Sequence, residues 1–148
     1  MRVDRPFRQS RPRSLRRRLL AERLPRISPG EWLRGYGYDE FFLIEKRHPT
    51  KYDLDLVSLD LPVILRHRTG HAAVLNSVAL RQAGIHQHFI PPAGGNFERD
   101  PLSGEPMGVV YELEQFLRTV IPPLAANDFA TGVKHASIEL LRHGVTSF

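Results

Sequence analysis

Pro62-Val63-Ile64-Leu65-Arg66, followed by Gly70-His71-Ala72 and a run through Leu75 and Ala79 to Ala83-Gly84, is the stretch whose reading decides the fold. The first five residues are short, apolar and rich in branched side chains, which reads as a buried strand. Beyond Gly70 the apolar positions Ala72, Leu75, Ala79 and Ala83 recur at helical spacing, and Gly84 is a stop signal. The spacing therefore predicts a helix over 72–83. A strand leading into a helix is the unit of an α/β layer with mainly parallel pairing. In open α/β folds and barrels, ligand-facing groups gather where a strand ends and a helix begins. That puts His71 among the candidate site residues. The alternative is that His71 only opens the helix, with Asn76 a polar surface residue.

The same pattern extends to both sides. Trp32 to Tyr38 reads as a strand whose two glycines allow close backbone approach. Phe41 to Glu45 is a short apolar piece. Thr50-Lys51-Tyr52-Asp53 has the form of a capping box, with a short helix running to about Val57. After the helix stop at Gly84 comes a loop, His86 to Gly95. Asn96–Asp100 and Gly108–Tyr111 then flank the turn-rich Pro101-Leu102-Ser103-Gly104, which predicts a hairpin. Tyr111 to Val120 reads as a helix closed by Pro122-Pro123. Asn127 or Asp128 caps a last helix with an apolar stripe of Phe129, Val133, Ala136 and Leu140, ended by Gly144. Val145 to Phe148 reads as the start of another strand.

A chain of 148 residues has room for one domain. Apolar residues at 41% and charged residues at 25% are ordinary for a folded globular chain. No apolar run is long enough for a membrane-spanning helix. There is no Cys, which excludes disulfides and thiolate metal sites and fits a reducing cytosol. The net charge of +5 is unevenly divided. Residues 1–26 hold ten Arg against Asp4 and Glu22, a net +8, and the remainder is −3. The body thus has no reason to bind nucleic acid by charge alone. The arm reads as a solvated leader, a targeting peptide or a nucleic-acid tether, with only Phe7 available for base stacking. The expected organisation is an Arg-rich arm over 1–27, disordered or part-helical around Ser14 to Leu24, and a domain over 28–148.

Several constellations could carry chemistry. His67 and His71 are spaced like the two His of a zinc-protease helix, but Arg68 stands where the general base belongs and Gly70 interrupts the helix. His86-Gln87-His88 has the spacing of a metal clamp but reads as two exposed loop His. Asp39-Glu40 offers two carboxylates that, as neighbours on a strand, point to opposite faces; one faces a site, or both only cap a turn. Glu112 follows the apolar Gly108 to Tyr111 and either faces inward or simply starts a helix. There is no Gly-x-Ser-x-Gly, and Gly35-Tyr36-Gly37 is too short for a phosphate cradle.

Four stretches in order carry a resemblance: Pro29 to Glu40, with its Trp32-Leu33-Arg34-Gly35 core; Pro62 to Arg66 leading to Gly70-His71-Ala72 and Asn76-Ser77-Val78-Ala79-Leu80; Gly94-Gly95 with Arg99-Asp100 and Gly104-Glu105-Pro106-Met107-Gly108; and Gly144-Val145-Thr146-Ser147. Together they resemble the YtcJ-like branch of the amidohydrolase superfamily, amidohydrolase family 3, over about residues 28–148. The resemblance implies an α/β fold, an incomplete portion of a TIM-like (β/α) barrel with an inserted β-hairpin. It implies a metal-dependent hydrolase of non-peptide, amide-type C–N bonds with a small-molecule substrate. A divalent metal, zinc being the expected ion, activates water in that family. It further implies that His71, Asp39 and Glu112 line the substrate pocket. The family's early His-x-His clamp has no counterpart, because no His precedes Trp32. A full barrel needs about 250 residues. The expectation is therefore a partial-length chain with no catalytic residue and no complete metal set of its own. The alternatives are a non-enzymatic binding module tethered by its basic arm, and one subunit of a split barrel completed by a partner chain.

Overall fold

Residues 30–124 and 126–147 are those described by a computed structural model of the chain. The Arg-rich arm, with the helix expected over 14–24, lies outside them. In chain order come strand β1 (Leu33–Tyr38), a 3-10 turn (Glu40–Phe42), helix α1 (Lys51–Asp55), strands β2 (Val63–His67) and β3 (Ala72–Leu75), and helix α2 (Ser77–Gln82). Strands β4 (Asn96–Arg99) and β5 (Pro106–Tyr111) and helices α3 (Glu114–Val120) and α4 (Ala126–Arg142) complete the series. The strands form one sheet in the order β1-β2-β3-β5-β4. β1 and β2 pair in parallel, while β2–β3, β3–β5 and β5–β4 pair antiparallel. The expected mainly parallel sheet is corrected to a mixed one, and the expected hairpin is present as β4–β5.

Residues 72–75 explain that correction. They form a strand, not the first turn of a helix. Ala72, Ala73, Val74 and Leu75 are all buried, with Val74 facing one core and Ala73 and Leu75 the other. Apolar side chains at every position suit a strand covered on both faces better than a helix with one apolar stripe. A tight turn, closed by the Gly70 N–H on the His67 carbonyl, sends the chain back along β2. Helix α2 starts only after Asn76.

The two faces of the sheet follow the strand period of two. Val63, Leu65, Val74 and Val109 pack towards Leu54 and Val57 around α1. Ile64, Leu75 and Val110 pack towards Leu80 of α2 and Leu117 of α3. Each such aliphatic side chain contributes about 1.5–3 kcal/mol on full burial. The backbone comes closest at Gly108, in the left-handed region at φ +103, where an added Cβ would lie 2.6 Å from the Lys51 nitrogen and 2.7 Å from the Leu75 carbonyl oxygen. Only glycine lets α1 sit down on β5 there.

Asn76 is not a surface residue: it is fully buried. Its Oδ1 accepts from the N–H of Val63 and of Ala79, both at 2.9 Å. Its Nδ2 donates to the carbonyls of Ser58 (2.9 Å) and Leu61 (3.0 Å). The side chain thus caps α2, starts β2 and holds the preceding loop at once. Thr50 and Asp53 form the expected capping box of α1. Helix α3 begins at Glu114 because Tyr111 still belongs to β5. Helix α4 has no buried residue, so Phe129 and Val133 of its expected stripe face solvent. Residues 145–147 are not strand, and Phe148 lies outside the described residues. No helix among the described residues is long and apolar enough to cross a membrane.

Candidate functional site

β1, β2 and β5 all run in the same direction, so their C-terminal ends share one edge with the start of the reversed β3. The sequence-derived candidates all lie on this edge, in two groups. His71 and Glu112 form one. His71 sits in the turn between β2 and β3, not at a strand-to-helix junction, and Glu112 follows β5. The β3–β5 pairing brings them together: Glu112 N–H donates to the His71 carbonyl at 2.9 Å, and His71 Nδ1 lies 2.9 Å from Glu112 Oε1. Both side chains are more than half exposed. Glu112 has φ +52, which is unusual for a residue with a side chain. Such strain is kept where the surrounding structure needs that placement, here to turn its carboxylate onto His71.

Asp39 belongs to the second group, with its neighbour Glu40 and with His67. β1 and β2 are in register with Tyr38 beside His67, and a bulge between Tyr36 and Tyr38 accompanies Gly37 at φ +84. The bulge changes the face on which the strand ends, so Tyr38 joins the same core as Leu33 despite their odd spacing. Asp39 then caps the 3-10 turn, its Oδ1 accepting from Phe41 N–H at 3.0 Å. Glu40 is the first residue of that turn and no longer part of a strand. The expectation that Asp39 and Glu40 point apart is therefore corrected, because strand alternation stops at Tyr38.

Donor atoms of Asp39, Glu40 and His67 all lie within 4.8 Å of one another. Glu40 Oε2 is 2.8 Å from His67 Nε2, and both atoms are shut off from solvent. They are not aligned as a hydrogen bond, and neither has a hydrogen-bond partner among the described residues. His67 Nδ1 is 2.8 Å from the Thr69 hydroxyl. Arg68 donates to Asp39 Oδ2 at 2.9 Å. Burial by itself pushes the Asp39 carboxyl up, but the Arg68 and Phe41 hydrogen bonds and the Arg68 charge outweigh it and hold Asp39 below the usual range.

Aromatic rings wall the cluster. The Tyr38 ring meets His67 edge-on at 5.0 Å, and its hydroxyl is 2.8 Å from His48 Nδ1. Burial, and then the nearby Glu40 charge, drive the Tyr38 phenol far above its ordinary value, so it stays a neutral donor. An open cleft of about 800 Å³ lies beside the group, lined by Glu40, His48, Tyr52 and Glu98 among others. Two carboxylates and one imidazole, with two orphaned donor atoms facing each other, fit a divalent cation. Along the chain His67 has only the His71 spacing to recommend it. The signal that finds it is the cross-strand pairing of β1 with β2. His86 and His88 lie in an exposed loop, as expected, with ring centroids 6.2 Å apart.

The model of the amidohydrolase family matches residues 14–148, beginning inside the Arg-rich stretch. The chain is 36% identical over 122 residues to the N-substituted formamide deformylase of Arthrobacter pascens, covering 82% of this chain and 22% of that protein. It is 34% identical over 105 residues to the putative amidohydrolase YtcJ of Bacillus subtilis (strain 168), covering 70% of this chain and 20% of the relative. The crystal structure of an uncharacterised metal-dependent hydrolase from Pyrococcus horikoshii superposes with a TM-score of 0.53 at 26% identity, over 99% of this chain and 26% of that one. The chain thus spans about a fifth of the length of the curated relatives it matches.

Proposed function

The chain belongs to the amidohydrolase family, and from that premise we propose that it forms one sector of a metal-dependent hydrolase acting on amide-type C–N bonds outside peptides. The observation that carries this reading is the convergence of Asp39, Glu40, His67, His71 and Glu112 on one strand-end edge in a chain 36% identical to a formamide deformylase. When bound, the family's divalent cation supplies Lewis-acid polarisation of a carbonyl and an activated water. The donor set of this chain that fits such an ion is Asp39, Glu40 and His67.

The remaining residues do the protein's part. Glu112 fixes the His71 ring through Nδ1 and leaves Nε2 turned to solvent, where it can hold or pass a proton to a leaving amine. The buried Tyr38 and the half-buried Tyr111 make one wall of the edge apolar. Tyr111 donates to Glu98 across that wall, which keeps its ring in place. Zinc is the ion we assign, in keeping with the imidazole donor. An N-substituted formamide is the first substrate to try. The five-stranded sheet offers part of a ring of strand ends, and the 148 residues alone are inactive in this reading.

A segment exchange tests it. Residues 27–148 replace the matching segment of the formamide deformylase, and formate release is measured with zinc present. The expected result is retained hydrolysis that falls at least tenfold in His71→Ala and in Glu112→Gln. A folded exchange protein that is inactive, or one indifferent to both substitutions, would contradict the reading. Metal-dependent hydrolysis by the 148-residue chain alone would remove the claim that it is inactive by itself.

A further inference from the structure

We propose that Asp39, Glu40 and His67 form a divalent-cation site that this chain loads by itself, with the Arg68 guanidinium standing in for the ion at Asp39. The site deepens the hydrolase reading by giving its ion a place. It stands on the side chains of this chain, so it does not fall if C–N hydrolysis is not found.

Convergence comes first. Three donor atoms from two adjacent strand ends lie within 4.8 Å of one another, held there by the Tyr38–His67 register and the bulge before Tyr38. The orphaned atoms come second. His67 is 8% exposed, and its Nε2 and Glu40 Oε2 are buried 2.8 Å apart without hydrogen-bond alignment. Buried polar atoms without partners are uncommon in native folds, because each gives up its water for nothing. Two such atoms, close together but off-axis for a hydrogen bond, are placed as neighbouring ligands of one ion would be.

The outer contacts come third. His67 Nδ1 accepts from Thr69 N–H at 3.3 Å and lies 2.8 Å from the Thr69 hydroxyl; a cation at Nε2 would select the tautomer whose Nδ1 proton goes to that hydroxyl. Asp39 is oriented by Phe41 N–H. Its other oxygen carries the one positive charge in the cluster, Arg68, whose side chain is 54% exposed and free to swing into water. The cleft in front of Glu40 and His48 gives a route in. Two carboxylates and one imidazole suit first-row ions such as Mn²⁺ and Zn²⁺, and three protein donors leave a position for water.

The test is a calorimetric titration of the 148-residue chain with Mn²⁺ and with Zn²⁺. Every variant carries His86→Ala and His88→Ala, which silence the exposed His-x-His loop. Circular dichroism reports folding. The expected result is one ion per chain, weakened at least tenfold by Glu40→Gln and by His67→Asn, and tightened several-fold by Arg68→Ala because the competing charge is gone. Should His67→Asn fail to fold, Glu40→Gln and the exposed Arg68→Ala decide alone. Absence of binding would overturn the site. The Thr69 N–H bond to His67 Nδ1 would then fix the tautomer that gives its Nε2 proton to Glu40. Binding unchanged by Glu40→Gln, or weakened by Arg68→Ala, would overturn it as well. Binding as expected with an inactive exchange protein would keep the site and discard the hydrolase reading.

Discussion

Two buried polar centres sit at opposite ends of the same strand, β2, and they are built differently. At the start, Asn76 meets Val63 and uses its whole hydrogen-bonding capacity: two bonds accepted and two donated, all within 3.0 Å. At the end, His67 meets Glu40 and Asp39, and two buried atoms are left facing each other without a hydrogen bond. A saturated centre has nothing to offer a ligand and serves the fold. An unsaturated one weakens the free chain and is kept for a group the chain does not supply.

Asn76→Ala is the largest expected effect. It removes four bonds and strands four backbone groups in or near the core, which should cost about 3–5 kcal/mol. Urea denaturation of the variant should show that loss, while its folded fraction binds cation as before. A loss below about 1 kcal/mol would mean the two ends of β2 do not differ as described.

Glu40→Gln should behave in the opposite way. Without added ion, stability changes by less than about 1 kcal/mol, because the carboxylate has no aligned hydrogen bond at Oε2 to lose. The rise in melting temperature that Mn²⁺ gives the parent chain should disappear. Arg68→Ala should lower the ion-free midpoint, because Asp39 is only 5% exposed and loses its charge partner. Its melting temperature should rise more with Mn²⁺ than that of the parent.

The smallest effect belongs to Asp100, in the β4–β5 turn. Its carboxylate accepts from the N–H groups of Ser103 and Leu102 and from the Ser103 hydroxyl, which hold it below the ordinary value of 3.8. The folded state therefore gives up this proton more readily than the unfolded one. The stabilisation is complete above about pH 4 and is lost as pH falls through the depressed value. Asp100→Asn should remove that part of the acid sensitivity, read from urea midpoints between pH 5 and 2.5, and leave cation binding alone.

How much of this was legible in the sequence depends on which interactions were local. The capping box at Thr50 and Asp53, the hairpin around Pro101 to Gly104 and the strands ending at Tyr38 and Arg66 or His67 follow from spacing within a few residues. The strand at Ala72–Leu75 did not, because an apolar run of four satisfies a helical and a strand period equally well, and the choice falls to its pairing with β2 and β5. His71, Asp39 and Glu112 are the site residues the resemblance implies, and the structure sets the first and last in contact. That Glu40 and His67 meet is not legible in the sequence, for a physical reason. Strand alternation ends at the bulge between Tyr36 and Tyr38, and partners across strands are not neighbours in sequence. Asn76 was missed likewise, since its four partners lie at Ser58, Leu61, Val63 and Ala79.

The most direct test of the contrast between the two ends of β2 is a nuclear magnetic resonance experiment on the histidine rings. Substoichiometric Mn²⁺ is added to the 148-residue chain, and the paramagnetic broadening of all seven His rings is followed. The account predicts that the His67 ring, and its Nε2 before its Nδ1, broadens first, while the Asn76 side-chain amide stays sharp. Broadening that begins at His86 and His88 and leaves His67 untouched would contradict it.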